Sequence, residues 1–520
     1  MPMQRALLKA YLWVLLIITF LPNCHAIDSW AQPSGQRRTA IRSQRDMLAN
    51  VTIDEIPIVG VDLRHVLFSD NFTSSSNLNT NQTNTIYMNN LSDLLTAGVQ
   101  GLVLDIEPNH GFWVVTNTTL LLSTFLDTLE SFLLSTNDNL SADIIMLFLR
   151  PPVNLTLNST VYHTHPQLNL TYILDQHLGS SRIYSPSILA ADRAMGDAWD
   201  AFGESKTDGW PTLGTFLYTR KKRVLITDLS SKSNSTIDSP YIFPNTITHY
   251  SSGNMTSDCP NTLSALSYMS TVSFQFLEAV FNEDDISEYV SCGVSPIISN
   301  TYNVNSLSNI KTLLDKTVVW SWGEDEPTIS NTKITIVKDT LEALNCAQLS
   351  FSSGTDSMTW QVANCYDNKR GLCRYKDHKY VWKLTKDDDN TYFSFDGRGD
   401  SKCPDDYVFA IPRTPLEEKA VLLYFRQQNI TDIDAWIDLN SISVSNCWVT
   451  GGPYASCPYQ KVVSRRNFVT MLLPVVICSF AILCIVLYLS ILRTPIHDNR
   501  KNWRRIVNKI SKAEFEGVPS

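Results

Sequence analysis

The residues best placed to do chemistry are five polar side chains at or near the ends of apolar runs: Asp62, Asp105, Glu107, Arg150 and Asp228. Ile56 to Val61 runs into Asp62, Gly101 to Ile106 contains Asp105 and ends at Glu107, Ile144 to Leu149 ends at Arg150, and Arg223 to Thr227 ends at Asp228. Runs that are apolar on both faces are buried parallel strands, and charges at their C-terminal ends collect on the face where barrel folds build their sites. General acid and base chemistry at such a mouth needs two groups that titrate near neutrality, one to take a proton and one to give it. His65 and His110 are close in sequence, but the first lies three residues beyond the end of its strand and the second sits in a turn. Each reads as a surface or structural histidine. His163 and His165 have the spacing of a ligand pair but lack carboxylates at matching spacing, so neither a metal nor a cofactor is expected.

Helices must separate these strands. Leu91 to Ala97 is helical and stops at Gly98, and Leu122, Phe125, Leu126, Leu129, Phe132 and Leu133 repeat at helical spacing. Pro211 to Tyr218 reads as another helix, while Val294 to Ile298 and Val318 to Trp322 are later strand candidates. Repeated strand and helix units predict an α/β fold, a (β/α)8 TIM barrel, over residues 27–330. Residues 331–467 are rich in Trp, Tyr and Cys. Tyr380 to Leu384 and Thr391 to Phe395 read there as strands and Glu417 to Gln427 as a helix, so a disulfide-rich, mostly-β module is expected. It serves as a cover or spacer for the barrel, with carbohydrate contact through Trp436 or Trp448 as the alternative.

Targeting signals flank both units. Arg5 and Lys9 precede an apolar run and a small residue at Ala26, the pattern of a signal peptide over residues 1–26. Residues 468–492 are uncharged and long enough to cross a bilayer, with Pro474 in the second turn. The tail, 493–520, carries seven Lys and Arg against three acids, which predicts a cytoplasmic tail and type I topology. The chain has a net charge of −9; without the signal and the tail the luminal part carries about −15. That balance disfavours direct contact with nucleic acid.

Twelve N-x-[ST] sequons support a glycoprotein: Asn50, Asn71, Asn81, Asn90, Asn117, Asn139, Asn154, Asn158, Asn169, Asn234, Asn254 and Asn429. Eight luminal cysteines, Cys259, Cys292, Cys346, Cys365, Cys373, Cys403, Cys447 and Cys457, are an even set for an oxidising lumen. Close spacing favours pairing Cys365 with Cys373 and Cys447 with Cys457, with all eight placed in one domain.

The segments IPIVGVDLRHVL, LLTAGVQGLVLDIEPNHGFWVV and DGWPTLGTFLYTRKKRVLITDL resemble the phosphatidylinositol-phospholipase-C-like phosphodiesterases, which are TIM barrels. Together with WIDLNSISVSNCWVTGGPYASCPY and DNRKNWRRIVNKISKAEFEGVPS they make the chain similar to the fungal maintenance of telomere capping protein 6 family. The first likeness implies two catalytic histidines, but the aligned positions fall at Gly60 to Arg64 and near Thr116, where there is none. AWIDLN resembles a strand of C-type lectin folds, without that fold's calcium-binding triplets. The expectation is an inactive barrel that binds a luminal glycan, lipid or protein, in a membrane protein with an indirect part in telomere capping. The alternative is an active phosphodiesterase on inositol lipids or GPI-type substrates.

Overall fold

The computed structural model describes residues 33–69, 80–152, 166–204, 208–230, 240–254, 259–301, 307–328, 335–337, 340–355, 357–396, 402–459, 465–493 and 499–515. Residues 1–26, expected to be a signal peptide, and His163, His165, Asn71, Asn154, Asn158 and Asn234 lie outside the described residues. The chain forms two compact units, residues 1–459 and 460–520.

The first unit is built on a curled, mostly parallel sheet. Its strands are β1 (Gly60–Asp62), β2 (Gly101–Asn109), β3 (Phe112–Val115), β4 (Ile145–Arg150), β5 (Ile183–Tyr184), β6 (Val224–Asp228), β7 (Ile242–Phe243), β8 (His249–Ser252), β9 (Gln275–Ala279) and β10 (Ser295–Ile298). They run in the order β5-β6-β4-β2-β1-β10-β9-β8, with β7 on β6 and β3 folded back on β2. Every pairing except the β2/β3 hairpin is parallel. Among the described residues no ladder joins β8 to β5 or β7, so the barrel is open there.

Successive side chains on a strand face opposite sides, and the two cores follow that parity. Val103, Met146, Phe148, Leu225, Phe276 and Ile297 fill the barrel interior. Leu102, Leu104, Leu147, Leu149, Ile226 and Leu277 face the helix layer, where they meet Leu91 and Leu94 of helix Thr80–Thr96 and Phe125, Leu126 and Leu129 of helix Leu122–Ser135. Gly98, at φ +104°, ends the first of these helices in a conformation suited to glycine.

Val318 to Trp322 departs from expectation. Val318 is the last residue of helix Leu307–Val318, and Trp322 makes only an isolated bridge to Trp360. The apolar run is there because it seats the second module on the barrel: the Trp322 ring lies 5.9 Å from that of Trp360 and 5.0 Å from that of Trp448. Helix Gly35–Met47 closes the same seam, with Ser43 Oγ accepting from Trp322 Nε1 at 2.8 Å.

The module has β13 (Leu344–Ser352), β14 (Ser357–Asn364), β15 (Arg370–Tyr375), β16 (Trp382–Leu384), β17 (Tyr407–Phe409) and β18 (Asp432–Asn440), preceded by the small hairpin of β11 (Thr335–Val337) and β12 (Thr340–Glu342). The order β14-β13-β18-β15-β16 makes one sheet, covered by helix Pro415–Gln427. Thr391 to Phe395 is not a strand; Tyr392–Phe395 forms a 3-10 turn that packs its rings inward. The tryptophans that the alternative reading offered as a carbohydrate surface are buried as well. Trp436 is 0% and Trp448 4% exposed, since an indole in so aromatic a core contributes more inside than out.

The eight cysteines from Cys259 to Cys457 all pair: Cys259–Cys292, Cys346–Cys365, Cys373–Cys403 and Cys447–Cys457. The last was expected. Cys365 does not join Cys373, because β13 and β14 bring it to Cys346 in the antiparallel ladder, while Cys373 on β15 turns to Cys403. The four bridges are also not confined to one domain, since Cys259–Cys292 lies in the barrel.

The second unit contains helix Arg465–Arg493. Its segment Leu472–Ile491 is long and apolar enough to cross a membrane, with mean hydropathy 2.8, and Pro474 lies within it. Helix Asn499–Phe515 follows.

Candidate functional site at the barrel mouth

Strand parity decides which of the five predicted residues meet. On β2 the inward positions run Val103, Asp105; on β4 they run Met146, Phe148, Arg150; and Asp62 follows the outward Val61. Asp105 is the register partner of Arg150. Arg150 Nη1 donates to Asp105 Oδ1 at 3.1 Å and to Asp62 Oδ2 at 3.4 Å. Asp62 is fully buried, and its other oxygen accepts from the backbone N–H of Arg64.

Two further charged groups join the cluster: Arg64, whose Nη1 is 3.5 Å from Asp105 Oδ2, and Glu278. Glu278 is the inward residue after Phe276 on β9, and its Oε2 accepts from Arg150 Nη2 at 2.6 Å and from the Tyr250 hydroxyl at 2.7 Å. Neither Glu278 nor Tyr250 was among the predicted site residues. The available signal was a lone carboxylate inside the strand-like run Gln275 to Ala279, at the same parity as its apolar neighbour Phe276.

Asp228 and Glu107 stand apart from the cluster. Asp228 pairs with Leu149, an outward position, and its carboxylate accepts from the backbone N–H of Ser230 at 2.7 Å and from the Ser230 hydroxyl at 3.0 Å, so it pins the loop after β6. Glu107 lies on the β2/β3 hairpin opposite Val114, beyond the ladder with β4. His65 Nε2 is 3.9 Å from Asp62 Oδ2 at the rim, and His110, at φ +48°, occupies the hairpin turn.

Crowding these charges in a half-buried site shifts their protonation. Burial, together with a hydrogen bond to Glu278, pushes the Asp62 carboxyl up to about 7. Burial also raises Glu278, but the bond from Asp62, the Arg150 guanidinium and the Tyr250 hydroxyl outweigh it and hold that carboxyl below its usual range. Below about pH 7 the pair therefore holds one proton, favoured on Asp62. Burial disfavours the Arg150 cation, yet Glu278, Asp105 and Asp62 overcome this and hold its pKa above that of a free arginine. A cleft of about 630 Å³ opens beside the cluster, lined by Arg150, Leu229, Asn245, Thr248, Tyr250, Ser252 and Glu278.

A family profile described as "MTC6 partial TIM-barrel domain" matches residues 31–320. The chain is 49% identical over 494 residues to maintenance of telomere capping protein 6 of Saccharomyces cerevisiae, covering 94% of this chain and 93% of that one. It is 39% identical to the protein of the same name from Vanderwaltozyma polyspora, over 100% of this chain and 99% of that one. The chain belongs to the maintenance of telomere capping protein 6 family. Among solved structures, a phosphatidylinositol-specific phospholipase C from Staphylococcus aureus aligns over 54% of this chain and 98% of its own, at 11% identity and a TM-score of 0.29.

In this member of the family, sequon residues differ in access. Asn50, Asn117, Asn139, Asn254 and Asn429 are exposed, whereas Asn90 is buried in helix Thr80–Thr96. Asn169 caps helix Leu170–His177, its side-chain oxygen accepting from the backbone N–H of Tyr172. A second cleft, about 620 Å³, lies between barrel and module, where Lys379 is paired with Glu55. None of the five predicted site residues lines it.

Proposed function

We propose that this protein is a single-pass type I membrane glycoprotein whose luminal barrel binds a neutral, hydroxyl-rich ligand, a glycan by preference, and does not cleave phosphodiesters. The observation that carries this reading is the state of Arg150, bonded to Asp62, Asp105 and Glu278. A cation meant for a phosphoryl oxygen must have charge to spare. Here the guanidiniums of Arg150 and Arg64, the latter 3.5 Å from Asp105 Oδ2, face three carboxyls that hold one proton, so a phosphate entering the mouth meets no net positive charge. Asn245, Thr248, Tyr250 and Ser252 beside the cluster supply donors and acceptors suited to sugar hydroxyls. Glycoside cleavage by the carboxyl pair fits poorly, because Asp62 and Glu278 are in hydrogen-bond contact whereas that reaction uses carboxyls about 5 Å or more apart.

The orientation rests on the basic tail and on four disulfides, which belong to an oxidising compartment. With the acidic folded mass in the lumen, a part in telomere capping, the property in the relatives' name, is indirect and acts through membrane or cell-wall physiology or through the tail. The alternative, a phosphodiesterase on inositol lipids or GPI-type substrates, would have to use Arg150 or Arg64, both already paired with carboxylates of the mouth. The test is full-length protein in detergent, assayed on inositol phospholipid with and without divalent metal and on a glycan array. Glycan binding lost in Tyr250→Ala, without lipid turnover, supports the reading. Lipid turnover abolished by Asp105→Ala overturns it.

A further inference from the structure

The sharpest unassigned surface is helix Asn499–Phe515. At about 100° per residue, Trp503, Ile506, Val507 and Ile510 fall within an arc of about 100°, while Arg500, Lys501, Arg504, Arg505, Lys509 and Lys512 occupy the rest of the circumference. All four apolar side chains are solvent-exposed, from 49% to 63%. A helix of this composition gains nothing by standing in water: its apolar stripe has no cover, and six cations against the single acid Glu514 repel one another. A strongly basic face opposite a stripe that includes Trp503 suits a helix lying at a membrane interface.

We propose that this helix lies in the plane of the membrane, with Trp503, Ile506, Val507 and Ile510 among the acyl chains and its basic face bound to anionic phospholipid headgroups. Two observations beyond the pattern favour lipid over a protein groove. The first is charge complementarity, since six cations match a leaflet rich in phosphatidylserine or phosphoinositide. The second is tethering. Only residues 494–498 separate the helix from the end of the apolar helix at Arg493, and a chain that short reaches at most about 20 Å. The helix therefore meets the bilayer surface at high effective concentration, and weak partitioning becomes near-complete occupancy. The inference goes beyond the proposed luminal function and rests on the type I topology of that reading, which brings the tail to the anionic cytoplasmic leaflet.

The test uses full-length protein with Cys478→Ser and Cys484→Ser, the two cysteines outside disulfides among the described residues. A nitroxide is placed at Val507→Cys or, as the polar-face control, at Asn508→Cys, which keeps every charge. Reconstitution in phosphatidylcholine vesicles with and without 30% phosphatidylserine in both leaflets removes any dependence on orientation, which protease protection reads separately. The expected result is an oxygen-to-nickel collision ratio several-fold higher at 507 than at 508 in anionic vesicles. The contrast shrinks in neutral vesicles and when Arg504, Arg505 and Lys509 are changed to Gln. Equal ratios at 507 and 508 in anionic vesicles overturn the proposal. So does dipolar broadening at 507, which would place a second copy of the helix against the apolar face.

Discussion

Arg150 Nη2 donates to Glu278 Oε2 at 2.6 Å, tying β4 to β9 across the barrel mouth although the two residues are 128 positions apart. This bond, with those to Asp105 and Asp62, turns a set of strand-end charges into one network that stabilises the mouth and absorbs the positive charge a phosphodiesterase would use.

Removing the cation should therefore damage the fold. Arg150→Met leaves three carboxyls facing one another, and unfolding in denaturant is expected to become easier by about 3 kcal/mol, the low end for breaking a buried pair because the guanidinium keeps part of its exposure. Adding Glu278→Gln to the same chain should recover part of that loss. Equal stability of Arg150→Met and wild type would show that the network contributes little.

The shared proton makes the site respond to pH. Asp62 titrates near 7 when folded and near its ordinary value when unfolded, so between about pH 4 and 7 the folded state holds the extra proton. The stability this proton provides is fully present below the unfolded pKa and is lost as pH rises through 7. Melting temperature should fall from pH 5 to 8, and Asp62→Asn, which cannot titrate, should flatten that slope. A slope unchanged in Asp62→Asn would place the titration elsewhere.

Disulfide mapping offers a direct check on the module. Peptide mass analysis under non-reducing conditions should recover Cys346 linked to Cys365 and Cys373 linked to Cys403, and no peptide joining Cys365 to Cys373. Cys373→Ser with Cys403→Ser is expected to cost about 2–4 kcal/mol, since the bridge closes a loop of 30 residues.

Trp436 tests whether the module's aromatics bind or pack. Its Nε1 donates to the Asn390 carbonyl at 3.0 Å and its ring lies 5.6 Å from that of Tyr392. Trp436→Ala should destabilise by about 3–5 kcal/mol. At a temperature where the variant remains folded, glycan binding should be unchanged. Lost binding with intact stability would reinstate the tryptophan as a contact residue.

Much of this architecture is legible in the chain because burial on both faces leaves unbroken apolar runs, as in β2 and β4, and because helices repeat their apolar residues at fixed spacing. Strands β5 and β7 have two residues each, and β8 is exposed along most of its length, so neither length nor periodicity marks them. The tryptophans of the module left both a packing and a binding reading open for a related reason. Composition records that aromatic residues are present but not whether they face a ligand or one another.

The sequence by itself determined the class of the first domain, the long apolar helix and the basic tail after it, the even set of cysteines that pair, and three members of the mouth: Asp62, Asp105 and Arg150. These are local properties, written in runs, spacings and end residues. Only the tertiary structure decided that Glu278 and Tyr250 join them, that Asp228 turns outward to its own loop, and that Cys365 pairs with Cys346. Each of those outcomes depends on strand register and inward or outward parity, which arise only when segments distant in sequence are paired. The proton shared by Asp62 and Glu278 depends on that pairing too, since two carboxyls compete for one proton only after folding has brought them into contact and excluded water.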